Sequence, residues 1–356
     1  MKLKVTNSKG FVFIALPLII FVIAISLIIS FRSQKQIIQP AFKEVSKVFI
    51  SPTSTPFPFR ELTIPYLKER SYQSTFGEME KIGENASYTS YVTSYSSDGL
   101  KINGLLTIPS STPEPVEGWP AVVFVHGYIP PQNYKTQVNY VSWTNYLAGR
   151  GFVVFKIDLR GHGASGGEPG GGYYSSDYVI DTLNAYSALQ NADFVNKNAI
   201  GLWGHSMAGN VVFRALVAKP AIPAAIIWAG AGYTYSDLQD YQISDNSYQP
   251  PPPDSERAKK RTALREAYKD FSPDHWFWKQ VPATNYLEGV KTAIQLNHAV
   301  DDNVVSIDYS RNLNTILNAT QIPHELNEYP SGGHNLTGAS FAQALNATAE
   351  FFKKHL

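Results

Sequence analysis

From about residue 90 to the end of the chain, short apolar runs alternate with segments of helical spacing, and this alternation restricts the fold more than any other feature of the sequence. Residues 121–125, 152–157 and 224–228 are apolar along all or nearly all of their length. Strands of this kind are covered on both faces. Because helical segments separate them, the sequence predicts a doubly wound, mostly parallel sheet with helices on both faces.

The remaining elements extend this pattern in both directions. Residues 91–94 and 100–108 flank the turn at Asp98 and Gly99, which predicts an antiparallel pair of strands at the start of the sheet. Further strands are predicted at 199–203, 292–297 and 324–329, and helices at 140–150, 178–190, 208–218 and 339–355.

Residues 233–285 interrupt the alternation. They contain a run of prolines at 250–253 and a charged helix at 255–270, and they are too long for a simple connection. Two interpretations are open, a surface subdomain with its own small core and a lid over a substrate pocket. We expect an inserted lid, which makes four aromatic residues candidates for the pocket: Tyr233, Tyr235, Trp276 and Trp278.

The N-terminal residues are expected to lie outside the folded domain. Residues 1–10 form a short tail, and the uncharged apolar run at 11–31 is long enough to cross a hydrocarbon layer of about 30 Å as a helix. A cleaved signal peptide is the alternative, but no small-residue cleavage motif follows the run. Residues 32–60 are a tether rich in Pro, Ser and Thr, and residues 61–356 are the folded domain. The nearest basic residues predict a single-pass protein of the cell membrane with its folded domain outside the cytoplasm.

Charge balance and residue types exclude several classes of function. The chain has 30 Lys and Arg against 29 Asp and Glu, which leaves no basic footprint for nucleic acid. It has no cysteine, which excludes Cys-ligated metals and a cysteine nucleophile. Gly161 to Gly166 fits a dinucleotide motif, but Pro169 and the glycines at 170–172 follow where that motif needs a helix. No metal or cofactor is expected.

The segment Gly204-His-Ser-Met-Ala-Gly209 joins a buried strand to a helix. This is the setting of a nucleophile elbow, in which small flanking residues allow a sharp turn that lifts a serine above the sheet. Ala208 stands where the usual pattern has glycine, and Gly209 follows at once. The sequence therefore predicts Ser206 as a nucleophile.

A serine nucleophile needs a histidine base and a carboxylate that orients the base. When such a serine lies on a strand-to-helix turn, the acid follows it in the chain and the histidine base comes last. His334 lies in a glycine-containing loop just past a strand end, where its side chain can reach the elbow. Asp301 and Asp302 follow an earlier strand, and the residues themselves leave open which of them is the acid.

An oxyanion hole needs two backbone N–H donors. The residue after the nucleophile supplies one of them, and the loop after the first buried strand supplies the other. These positions correspond to Met207 and Tyr128.

Together these stretches resemble the α/β-hydrolases of the prolyl oligopeptidase and dienelactone hydrolase type over about residues 90–356. The family's His-Gly-x-x-Asp-x-x-Val pattern, laid on His298, puts the acid on Asp302, although Ala299 replaces the glycine and leaves Asp301 open. The matching segments are VVFVHGY (122–128), DLRGHGASGG (158–167), IGLWGHSMAG (200–209), HAVDDNVV (298–305) and YPSGGH (329–334).

The resemblance implies an α/β-hydrolase fold, loop-bracing roles for Asp158 and Arg160, and hydrolysis of an ester or peptide bond through an acyl-serine intermediate. Ser206 attacks, His334 transfers the proton and Asp302 holds the imidazole. The stretch between residues 31 and 90 is too short for the propeller of prolyl oligopeptidases, so small substrates are expected. No acidic or basic cluster is visible that would bind a charged group, which favours an uncharged ester. A prolyl oligopeptidase-type peptidase acting on short peptides is the alternative. An acyltransferase and an inactive binding protein on the same fold also remain open, as does the oligomeric state.

Overall fold

A central mixed sheet organises the part of the chain that the computed structural model describes, residues 56–110 and 114–356. Its strand order is β1-β2-β3-β5-β4-β6-β7-β8-β9. The strands are β1 (Glu80–Glu84), β2 (Tyr88–Ser97), β3 (Leu100–Pro109), β4 (Trp119–Val125), β5 (Val153–Ile157), β6 (Val195–His205), β7 (Ala224–Trp228), β8 (Ala293–Ala299) and β9 (His324–Tyr329).

The direction of the strands determines where their loops meet. β1, β2, β3 and β5 pair antiparallel in that order, whereas all pairs from β5 through β4 to β9 are parallel. This confirms the predicted antiparallel start and mostly parallel sheet. The loops after β4, β6, β8 and β9 leave the same edge of the sheet because the carboxyl ends of parallel strands lie together.

Helices cover both faces of the sheet, as predicted. The helices are α1 (Ile64–Glu69), α2 (Val141–Ala148), α3 (Asp177–Gln190), α4 (Ala208–Ala218), α5 (Asp237–Asp240), α6 (Glu256–Tyr268), α7 (Asp308–Asn318) and α8 (Ala339–His355). In β4, Val123 packs into one apolar cluster with α3, α4 and α7, and its neighbour Val122 packs into a second cluster with α2 and α8. This alternation explains why the strand is apolar at every position.

Four elements were not expected from the sequence: α1, β1, α5 and α7. In α7, Tyr309, Leu313 and Leu317 recur at intervals of four residues and are fully buried, so one narrow stripe holds the helix against the sheet. Polar residues occupy most of its other positions, which weakens the helical signal in the sequence.

The region at 233–285 has its own aromatic core, which agrees with the subdomain interpretation. Tyr235, Leu264, Phe277 and Trp278 are buried in it. Phe57, at the end of the predicted tether, meets the Trp276 ring edge-on at a centroid distance of 5.1 Å. The predicted membrane span at 11–31 and the rest of the tether to residue 55 lie outside the described residues. Within the described ranges no helix combines the length and apolarity that crossing a membrane requires.

Candidate active site

Ser206 occupies a strained turn between β6 and α4. Its φ of +56° lies in the left-handed region, which costs a non-glycine residue on the order of 1–2 kcal/mol. Two backbone hydrogen bonds hold the turn: the Ser206 amide donates to Trp228 O (2.9 Å), and the Gly209 amide donates to Ser206 O (2.8 Å). Strain of this kind persists where the surroundings enforce it, and it is typical of a nucleophile elbow.

Small residues make the turn possible. A Cβ atom on Gly204 would lie 2.7 Å from a Val212 methyl group, and one on Gly209 would lie 2.7 Å from the Gly230 Cα. Both contacts are too close for any side chain. Ala208, by contrast, is fully buried with its methyl group in place. The fold therefore has room for the Ala208 methyl group at the position where the usual elbow pattern has glycine.

The loops after β8 and β9 bring a carboxylate to an imidazole. Asp302 Oδ2 lies 2.8 Å from His334 Nδ1, and the Asp302 side chain is fully buried. Asp301 accepts instead from the backbone amides of Gly333 (2.8 Å) and Gly332 (3.3 Å). Asp302 thus contacts the imidazole, whereas Asp301 fastens the loop that carries it.

The surroundings of Asp302 keep it ionised. Burial alone would raise its pKa, but hydrogen bonds from His298, His334 and the Val305 amide outweigh burial and hold the pKa well below its usual range. The backbone amides of Val304 and Val305 donate to Oδ1 at 2.8 and 3.0 Å. A permanently charged carboxylate suits a residue that orients an imidazole and stabilises its protonated form.

A second histidine, His298, contacts the same carboxylate. From the sequence, His298 served to align the family pattern and was given no contact with Asp302. Its buried Nε2 lies 3.1 Å from Asp302 Oδ2 and 3.0 Å from Val305 O, and its Nδ1 lies 2.8 Å from Ser310 Oγ. Both partners of Nε2 are acceptors, so Nε2 carries the proton and Nδ1 accepts from Ser310. The spacing of a histidine four residues before the acid is the signal that could have revealed this contact.

The two expected oxyanion donors are available. Neither the Tyr128 amide nor the Met207 amide donates a hydrogen bond to another group of residues 56–110 and 114–356. The neighbouring Gly127 amide is already engaged with the Tyr140 hydroxyl at 3.1 Å. Of the two adjacent amides in this loop, the Tyr128 amide is therefore the one that can bind a ligand.

Tyr140 and His205 tie three loops of the site together, and the sequence did not indicate this. The Tyr140 hydroxyl lies 2.7 Å from His205 Nδ1, and His205 Nε2 lies 2.8 Å from the His334 carbonyl oxygen. Burial, with the nearby His334, lowers the pKa of His205 to about 3, so its ring is neutral at ordinary pH. Burial also raises the Tyr140 pKa, so the hydroxyl keeps its proton. Tyr140 then accepts from Gly127 and donates to His205, which donates to His334.

A buried polar network fixes the loop after β4 from below. Asp158 accepts from the Tyr134 hydroxyl (2.7 Å) and the Thr136 hydroxyl (2.5 Å). Burial lowers the pKa of the neighbouring Lys156 to about 8, against the opposing effect of Asp158. Arg160 pairs with the buried Asp181 in α3 at 2.7 Å. These contacts match the bracing roles that the resemblance implied for Asp158 and Arg160.

The expected aromatic pocket residues lie elsewhere. Tyr233, Tyr235 and Trp278 are 1–2% exposed and pack into apolar clusters, whereas Trp276 is 48% exposed on the surface. Tyr233 is buried behind the elbow, where a Cβ atom on Gly209 would lie 3.2 Å from its hydroxyl oxygen, and Tyr235 and Trp278 are buried in the aromatic core of the insertion. The cavity beside the oxyanion loop measures about 280 Å³ and is lined by Tyr128, Gln132, His162, Pro250, Pro251 and Arg257.

The described residues contain no cluster of three or more His, Asp or Glu side chains suited to a metal ion.

Comparisons with known proteins agree with this fold. Residues 119–247, about a third of the chain, match the profile of the family described as serine aminopeptidase, S33. "Uncharacterized protein YfhR" of Escherichia coli K12 is 31% identical over 112 residues, which are 32% of this chain and 36% of the relative. The chain thus spans about a third of that relative's length.

Solved structures extend the similarity over most of the domain. Acetyl xylan esterase 1 from Thermoanaerobacterium sp. JW/SL YS485 superposes with a TM-score of 0.53 at 15% identity, covering 82% of this chain and 90% of that one. A Mycobacterium tuberculosis puromycin-hydrolyzing peptidase gives a TM-score of 0.56 at 17% identity, covering 77% and 40%. The solved structures share the α/β-hydrolase fold of this chain, and residues 119–247 are similar to the serine aminopeptidase family.

Replacing each of the two adjacent aspartates in turn distinguishes the residue that orients the imidazole from the residue that supports its loop. We expect Asp302→Asn to lower kcat by about 10⁴, because an amide facing His334 Nδ1 favours the wrong tautomer. Asp301→Asn keeps an acceptor for the Gly333 amide and should lower kcat by less than about tenfold. Ester hydrolysis by the two full-length variants measures both effects. The reverse order would assign the acid to Asp301.

Removing one hydroxyl group tests the tie between the loops. Tyr140→Phe leaves the Gly127 amide and His205 Nδ1 without a partner, which costs about 1–3 kcal/mol for each buried group. We expect kcat to fall about tenfold or more with little change in KM, because the amides and the base shift while the cavity does not. Tyr146→Phe, on α2, is the matched control and should leave kcat unchanged. Equal effects of the two variants on kcat would contradict a positioning role for Tyr140.

Proposed function

We propose that this chain is a serine hydrolase that cleaves a small carboxylic ester through an acyl-serine intermediate, with Ser206 as nucleophile, His334 as base, Asp302 as orienting acid and the Tyr128 and Met207 amides as the oxyanion hole. One observation carries the proposal. The strained left-handed turn at Ser206 opens at the sheet edge where the Asp302–His334 pair also lies. His205, the residue before Ser206, lies 2.8 Å from the His334 carbonyl oxygen through its Nε2 atom, so the strained turn and the loop of the oriented imidazole are in contact.

The chemistry follows from the tautomer. His334 Nδ1 faces the Asp302 carboxylate and carries the proton, which leaves Nε2 as the acceptor for the Ser206 hydroxyl proton. As Oγ attacks the carbonyl carbon, the two amides donate to the developing oxyanion. The intermediate collapses when protonated His334 gives its proton to the departing alcohol. Water then repeats the attack on the acyl-serine and releases the acid.

Ester hydrolysis is favoured over aminopeptidase activity by the charges near the oxyanion loop. A substrate with a free amino terminus needs carboxylates to hold its ammonium group. Glu168, which is exposed, is the one carboxylate among the residues that line the cavity beside Tyr128. A prolyl oligopeptidase-type peptidase remains the second candidate, because the matching family profile is that of a serine aminopeptidase and some similar solved structures are peptidases. An acyltransferase would use the same acyl-serine and would transfer the acyl group to an alcohol instead of water.

Labelling with a fluorophosphonate tests the nucleophile. The full chain should be labelled and should hydrolyse short 4-nitrophenyl esters, whereas Ser206→Ala should lose labelling and at least about 10⁴-fold in kcat while keeping its thermal stability. Persistent labelling or activity in a folded Ser206→Ala protein would reject the proposal. Proline or alanine 4-nitroanilides cleaved above about 10⁴ M⁻¹s⁻¹ would assign a peptidase, because that value lies in the normal enzyme range.

Membrane anchoring is a separate part of the proposal and rests on the apolar run at residues 11–31. The full chain should stay in the membrane pellet after alkaline carbonate extraction, and a chain lacking residues 11–31 should move to the supernatant. Protease added to intact cells should then degrade the catalytic domain if it lies outside the cytoplasm. A full chain recovered in the supernatant would contradict the anchor.

A further inference from the structure

Arg257 is a cation beside the oxyanion loop. It lies in the first turn of α6, is half-buried, and makes no salt bridge within 4 Å and no side-chain hydrogen bond within residues 56–110 and 114–356. A guanidinium without a partner keeps its N–H donors available to an anion.

The position of Arg257 links it to the reacting groups. It lines the 280 Å³ cavity together with Tyr128, whose amide is the proposed oxyanion donor. A Cβ atom on Gly171 would lie 2.5 Å from the Arg257 guanidinium, and one on the next residue, Gly172, would lie 2.4 Å from the Met207 side chain. Two consecutive glycines therefore separate Arg257 from the residue after the nucleophile.

The other polar groups of this cavity do not neutralise Arg257. Gln132 donates to the Gln249 side chain at 2.7 Å, and the Gln249 amide donates to the Tyr128 hydroxyl at 2.9 Å, so these groups are engaged with one another. Glu168 lines the same cavity but is exposed and lies beyond 4 Å of the guanidinium. Arg257 also lines a second cavity, of about 320 Å³, together with Glu61, Asp177 and Glu256. Asp177 pairs there with Arg160 at 3.3 Å and Glu256 with Lys259 at 2.9 Å, and none of the three lies within 4 Å of the Arg257 guanidinium.

We propose that Arg257 is a specificity-determining residue that binds a carboxylate on the substrate, so that the preferred substrates are esters bearing a carboxylate. A guanidinium fork matches the two oxygens of a carboxylate and forms charge-assisted hydrogen bonds with them. This inference rests on the proposed ester hydrolysis and departs from the expectation of an uncharged substrate. It leaves open only whether the carboxylate belongs to the acyl group or to the alcohol.

Two matched pairs of esters test it on the full chain. The acyl pair is 4-nitrophenyl hydrogen adipate and its methyl ester, and the alcohol pair is 4-acetoxybenzoate and its methyl ester, with spontaneous hydrolysis subtracted. The measured quantity is the ratio of kcat/KM for the anionic ester to that for the neutral ester. Arg257→Gln should lower this ratio about 10- to 100-fold in at least one pair. The pair that responds identifies which side of the ester carries the carboxylate.

Control variants separate a specific contact from general electrostatics. Lys260→Gln removes a positive charge from the same helix, at an exposed position that lines the second cavity, which Arg257 also lines, but not the cavity beside Tyr128. It should change either ratio less than threefold, and Arg257→Lys should give an intermediate loss. A ratio that Arg257→Gln leaves unchanged, or that Lys260→Gln lowers equally, overturns the inference.

A binding measurement distinguishes failure of this inference from failure of the proposed function. Calorimetry on Ser206→Ala should show weaker binding of 4-nitrophenyl hydrogen adipate or 4-acetoxybenzoate when Arg257→Gln is added. If the full chain hydrolyses none of the four esters but this difference in binding persists, the proposed function fails and the carboxylate site stands. If the esters are hydrolysed and the affinity does not depend on Arg257, only the carboxylate site fails.

Discussion

The parallel direction of β4, β6, β8 and β9 is the constraint on which the site depends, because it sends four loops to one edge of the sheet. Leaving the same edge does not by itself hold these loops against one another. The neutral ring of His205 does so, since it joins the loop of Tyr140 and Gly127 to the carbonyl of His334. A protonated His205 would present a second donor to Tyr140 and break this chain of bonds. Burial prevents that by holding the pKa of His205 near 3.

The two rings beside Ser206 are treated differently by the fold. His205 is enclosed and neutral, with both nitrogens occupied, so it can only hold position. His334 is 15% exposed in its side chain and has one nitrogen engaged by Asp302, so its other nitrogen is open to a reacting group. Asp302 in turn receives four donors, which keeps it charged and fixed. The division between a structural histidine and a reactive one thus follows from the contacts of each ring and not from their sequence neighbourhoods.

Much of this could be predicted because it is encoded locally. The elbow around Ser206, the loop of His334 and the alternation of strands and helices each depend on residues close together in the chain. The choice of Asp302 over Asp301 depended on the family resemblance, because sequence periodicity does not distinguish two adjacent aspartates that follow the same strand. The contact between Tyr140 and His205 joins residues 65 positions apart, and no local pattern marks it. The sequence shows that the residues at 276–278 are aromatic and apolar. It does not show what they pack against, because that depends on how the insertion folds on itself.

The insertion shows how the fold separates stability from recognition. Its buried aromatic residues form a core with Phe57, Phe59 and Leu62 from the start of the domain and Tyr174 from the loop before α3. That core fixes α6, and α6 carries Arg257 to the cavity on its first turn while its later turns bury Leu264 and Tyr268. A group that reads a substrate must be held rigidly if its charge is to discriminate between ligands. The aromatic residues first assigned to the pocket therefore contribute to it indirectly, by holding in place the helix that presents a charge.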